Sequence, residues 1–78
     1  MPELNRVTIY QTEGGKWCSF PHERDVKALL SGDTEWEEGY TSCGHGEYVE
    51  NIYAVAEFCR THNVTPKAAI YSAVIEYR

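Results

Sequence analysis

The sequence predicts a small α+β domain: a β-hairpin over about 6–20, then three helices over about 21–31, 46–62 and 65–77. Three observations lead there. Residues near the start alternate in character with a period of two, up to a paired-glycine turn. Apolar residues later in the chain recur at helical spacing. Proline, threonine and glycine stand where helices begin and end.

In the first segment Val7, Ile9 and Gln11 alternate with Thr8, Tyr10 and Thr12, in a composition that favours strands. Glu13-Gly14-Gly15 is a turn signal, and Lys16 to Phe20 can return as the second strand. A lone hairpin is marginal in water, so it must pack on the helices. Pro21 suits the first position of a helix, and Glu23 and Asp25 favour its positive end. Val26, Leu29 and Leu30 form a short apolar stripe, and Gly32 supplies the stop. Asp33 to His45 reads as a loop.

The second helix begins near Gly46, with Val49, Ile52, Tyr53, Ala56 and Cys59 as its expected core face. Asn63 is its expected C-terminal cap. Thr65 and Pro66 restart the chain as N-cap and first residue of the last helix. That last helix leaves almost no polar face from Ala68 to Tyr77, so one surface of it is expected to meet a partner or a second copy. Lys67, Tyr71 and Ile75 are the candidates for this oligomer-facing or DNA-facing surface.

A chain of 78 residues is one domain with room for about four elements and none for a deep, well-supported cleft. It is expected not to be an enzyme. Hydrophobic content of 42% is enough for a compact fold. No stretch approaches the roughly 20 apolar residues of a membrane span, and Met1 to Arg6 lacks a signal-peptide layout. With three cysteines, an odd count, the chain reads as a cytosolic protein with reduced thiols.

Two cysteines and two histidines fall between Thr41 and His62, which raises a metal site. Distance argues against it. If Glu47 to Thr61 is one helix, Cys43/His45 and Cys59/His62 lie on the order of 20 Å apart, too far to share a zinc ion. Cys18 and His22 could join either pair, but no tight Cys-x-x-Cys spacing supports this. Cys43 just before a helix start, with His45 nearby, is a candidate thiol dyad, but Glu47 and Glu50 would oppose its ionisation. No metal ligand, catalytic residue or cofactor is expected, and a metal or thiol site ranks last among the readings.

The segment from Phe58 to Val74 resembles a helix-turn-helix. Cys59 takes the small-residue position, Asn63 the turn, Val64 the buried turn hydrophobe and Thr65 the second cap. The resemblance implies a DNA-binding regulator, an alternative that charge opposes: from Pro66 onward the cations are Lys67 and Arg78, on a chain of net charge −5.

The acidity is regional. Between Lys27 and Arg60 stand seven acids and no lysine or arginine, while the rest of the chain holds five acids and seven bases. Trp36, Tyr40 and Tyr48 share that region. Acid with exposed aromatic is a binding signature, because aromatics supply anchor area and a one-sign field steers a basic partner. Asp33, Glu35, Trp36, Glu37, Glu38, Tyr40, Glu47 and Glu50 are therefore the candidate partner-binding residues. The expected partner is a basic protein that handles nucleic acid, with no membrane involved. In size and charge the chain is similar to small inhibitors encoded by phages and other mobile elements, such as anti-restriction and anti-CRISPR proteins.

Overall fold

The computed structural model describes residues 6–11, 20–42 and 46–77. Among these residues, two strands and four helices follow in the order β1 (Thr8–Gln11), α1 (Glu23–Leu30), α2 (Trp36–Ser42), α3 (Gly46–His62), α4 (Pro66–Tyr71) and β2 (Val74–Tyr77). The class is α+β, in one small domain.

The strand expected near the start is present as β1, and the period of two holds: Val7, Ile9 and Gln11 are buried, while Thr8 and Tyr10 are half-buried. The return strand expected over 16–20 lies, apart from Phe20, outside the described residues. In the described sheet β1 pairs with β2, in parallel, with Thr8 opposite Val74 and Gln11 opposite Tyr77. Parallel strands need a long crossover, and here all four helices supply it.

This pairing corrects the last helix. It was expected to run over 65–77, but it ends at Tyr71, and residues 74–77 are strand. The Ser72 hydroxyl turns back to the carbonyls of Ala68 and Ala69 (3.1 and 3.3 Å), a local bond that competes with helix continuation. Val74 and Ile75 then favour the extended chain. The absence of a polar face was thus two elements read as one. Ala69 is the buried residue of α4, and Ile75 lies in β2 opposite Ile9.

A second correction concerns the loop expected over 33–45, which contains α2. The Glu35 N–H bonds Asp33 Oδ1 at 3.0 Å and the Glu37 N–H bonds the Thr34 carbonyl at 3.1 Å, so the turn winds directly into the helix. Glu37 and Glu38 occupy its first turn, where the dipole favours them.

Helix α1 begins two residues later than expected. His22, not Pro21, sets its start: His22 is the N-cap, with Nδ1 accepting from the Arg24 N–H at 3.1 Å, and Pro21 precedes it. Its end is as expected. Gly32 adopts φ 90°, with its N–H on Leu29 O and the Asp33 N–H on Ala28 O, both at 2.9 Å. These are the paired bonds of a Schellman ending. Asn63 closes α3 at the same left-handed position, φ 54°, with one such bond, from the Val64 N–H to Cys59 O at 3.3 Å. Thr65 caps α4 through Oγ1, which accepts from the Ala68 N–H at 3.2 Å, and Pro66 follows as expected.

Helix α3 is the hub and packs against α1, α2, α4 and β1. Its buried face is Tyr48, Asn51, Ile52, Val55, Ala56 and Cys59. The expected face was rotated: Val49 is only half-buried and Tyr53 is 44% exposed, whereas Tyr48 is core. Val7 and Ile9 of the N-terminal segment, Val26 and Leu29 of α1, and Ala69 of α4 complete the core.

Asn51 ties the hub to the sheet. Its Oδ1 accepts from the Tyr10 N–H at 3.0 Å and its Nδ2 donates to the Tyr10 carbonyl at 2.7 Å. The Val74 N–H bonds the Val7 carbonyl at 2.9 Å, so Val7 and Ile9 turn their backbone groups toward β2. Tyr10, one residue out of phase, turns its groups to the other edge, and the Asn51 amide meets them there as a strand would. Beside it Gln11 is fully buried, and its side-chain amide has no hydrogen-bond partner among the described residues.

Replacing Asn51 by Ala strips two partners from β1 inside the protein. The expected loss is roughly 1–3 kcal/mol in urea unfolding, because partly buried backbone groups of Tyr10 lose the Asn51 amide as a partner; a loss near zero would mean that the bridge is incidental. Gly32→Ala isolates a backbone cost. An added Cβ would meet nothing within 4 Å, so the expected loss of about 1 kcal/mol comes from the positive φ alone.

Candidate interaction surface

The acidic residues are placed by one aromatic clamp. Trp36 was expected to be a loop anchor exposed for a partner. It is instead half-buried at the start of α2 and packs on the core. Its ring meets Tyr48 edge-on at 6.4 Å between centroids and lies tilted against Tyr53, also at 6.4 Å. Its indole N–H donates to the Asp33 carbonyl at 2.9 Å, so the ring that packs on α3 also holds the turn before α2. Aromatic pairs at this separation contribute beyond their buried area.

A second tie is polar. The Tyr53 hydroxyl, on α3, donates to Glu37 Oε1, on α2. The bond to Glu37 raises the Tyr53 pKa above the ordinary phenol value, with desolvation and the Glu37 charge adding to it. Tyr53 was read from its spacing as core. It works at the edge of the core, pinning the acidic helix.

Below the clamp, Tyr48 is buried. Its hydroxyl donates to Asp25 Oδ2 and accepts from the His22 N–H at 3.3 Å. Asp25 is itself buried, with Arg24 Nε at 3.5 Å from its other oxygen. The start of α3 is thereby joined to the start of α1 through a buried carboxylate that meets two donors, as burial of a charge requires.

The outcome is a depression of about 680 Å³ lined by Thr34, Glu35, Glu37 and Glu38, with no basic side chain among the described residues of its lining. Glu35 and Glu38 are exposed and Glu37 is half-buried. Asp33 is exposed at the turn, where its carboxylate holds the Glu35 N–H. Glu47 and Glu50 stand on the first turns of α3, against which α2 packs. Tyr40 lies on α2, but its side chain falls outside the described residues.

Cys18, Cys43 and His45 also lie outside them. Cys59 is buried, and burial pushes its thiol pKa up, away from the reactive thiolate. Among the described residues no group of three His, Cys, Asp or Glu side chains could hold a metal ion.

The helical hairpin at the end of the chain departs from its expected form. Asn63 does take the left-handed turn position, but Val64, expected to be buried, is 37% exposed. Helix α4 is six residues long and gives way to a strand. Lys67 and Tyr71 are exposed on α4, whereas Ile75 belongs to β2, so the three do not share a helix. No helix among the described residues is long and apolar enough to cross a membrane.

Comparison with protein-family models, with curated proteins and with solved structures finds no match to this chain.

The Tyr53–Glu37 tie is testable by titration. A folded-state pKa above the unfolded value means that the bond stabilises at neutral pH and is lost as pH rises through the Tyr53 pKa. Glu37→Gln removes the acceptor's charge, so one tyrosine should titrate at lower pH when tyrosinate absorbance is followed. An unchanged curve would show that the two groups are not coupled.

Proposed function

We propose that this chain is a small protein-binding module that engages a basic partner through the acidic face of α2. The partner is a protein that handles nucleic acid, and the chain acts on it as an inhibitor or regulator. One observation carries the reading: among the described residues the depression beside α2 is lined by three carboxylates and a threonine and by no cation, at the start of a helix pinned by Trp36 and Tyr53.

Pinning matters because binding costs less when the contact groups are ordered beforehand. A short helix held at its first turn and again through Glu37 offers carboxylates at set positions. A surface groove that accepts phosphates meets a similar array of negative oxygens on such a helix. The local field draws a positive surface toward the chain and sets the orientation of encounter. Trp36 supports this surface from beneath and does not serve as the anchor itself, so specificity falls to the exposed carboxylates of Glu35 and Glu38, with Asp33, Glu47 and Glu50 around them.

The test is capture from lysate at low and at high salt, with the wild type beside a Glu35→Lys/Glu38→Lys variant. Both positions are exposed, so the variant should fold, which circular dichroism checks. The expected result is a nucleic-acid-handling protein bound at low salt, released at high salt and lost with the variant. Identical captures for wild type and variant would overturn the reading.

A further inference from the structure

A second depression lies on the opposite chemistry, between the start of α1 and α4. Its volume is about 310 Å³, at the lower end of the roughly 300–1,000 Å³ of small-molecule sites. Phe20, Pro21 and Ile70 give it apolar walls, Tyr71 stands beside it, and Lys67, His22 and Glu23 complete the lining. Tyr71 is 89% exposed, a large aromatic ring spent on neither core nor sheet.

The charges at this groove are not balanced. Glu23 is bound to Lys27 at 2.9 Å, and the other salt bridge among the described residues joins Arg24 to Asp25. Neither uses Lys67. Glu23, Lys27 and Lys67 together therefore leave one positive charge. The Glu23 pKa is lowered first by its bond to Lys27, then by the charges of Lys27 and Lys67 against an opposing desolvation, so the field of Lys67 reaches the groove. His22 adds a donor. Its Nδ1 is occupied as acceptor of the Arg24 N–H, which leaves the hydrogen on Nε2.

We propose that this groove binds an amphipathic aromatic carboxylate of small-molecule size. Its ring system lies along Phe20, Ile70 and Tyr71, and its carboxylate meets the Lys67 ammonium. An apolar body satisfies the walls, and a single negative charge satisfies Lys67, the groove's cation, which has no salt bridge among the described residues. A purely apolar ligand would leave that charge partly desolvated, and a cationic one would be repelled by it. The site is independent of the acidic face of α2 and uses none of its residues.

Amide chemical shifts of the labelled protein, titrated with naphthoate, test this. Saturable shifts are expected at 20–24 and 67–72. Neutral naphthamide should bind about three- to fivefold more weakly, the size of a solvent-exposed charge pairing. Lys67→Gln should bring naphthoate down to the naphthamide level, while Arg60→Gln, which removes an exposed cation elsewhere, should leave binding unchanged. Tyr71→Ser should weaken both ligands alike. The proposal is overturned if naphthoate gives no saturable shift, if naphthamide binds equally well, or if the Lys67 and Arg60 variants behave alike.

Discussion

The pairing of the Asn51 amide with the backbone of Tyr10 is the constraint on which the rest of the structure depends. A four-residue strand has few ways to satisfy its outward groups. Here β2 takes one edge and a helix side chain takes part of the other. One amide supplies both a donor and an acceptor, so it fits a residue that presents both. The bond crosses 41 positions in sequence and fixes the rotation of α3 about its own axis. With Asn51 aimed at β1, Ile52, Val55 and Cys59 must fill the core, and Tyr53 must leave it.

That rotation decides what lies on the surface. Tyr53 at the rim reaches Glu37, while Tyr48, about one and a half turns earlier and on the buried side, reaches Asp25 and His22. Trp36 packs between the two tyrosines. Helix α2 is too short to persist alone, since isolated helices of under about 12 residues are marginal in water. Its persistence comes from these contacts with α3, and so does the position of every carboxylate it carries. The acidic face therefore depends on buried aromatic packing.

The two depressions stand on different supports. One is acidic and hangs from the Trp36 clamp; the other is apolar with a residual positive charge and is formed where α1 and α4 approach. In a chain with net charge −5 a cation-bearing groove is a local exception. It arises because His22 caps α1 and Lys27 engages Glu23, leaving Lys67 over.

By itself the sequence determined the class, the extent of α3, and the ends that rest on local chemistry. Gly32, Asn63, Thr65 and Pro66 act within a few residues of themselves, so their roles were legible without a fold. The alternation of Val7, Ile9 and Gln11 was legible for the same reason. Helix α2 was missed although Thr34-x-x-Glu37 matches the spacing of a helix-starting capping box; the nearby glycine and the run of acids concealed it. Only the tertiary structure decided that Val74–Tyr77 is a strand, because its partner is β1 at the far end of the chain and no local pattern records a parallel pairing. It also decided that Trp36 faces inward and that Lys67, Tyr71 and His22 line one groove. Contacts between residues distant in sequence are set by packing, and in a core this small a single buried amide can turn a helix and rearrange its surface.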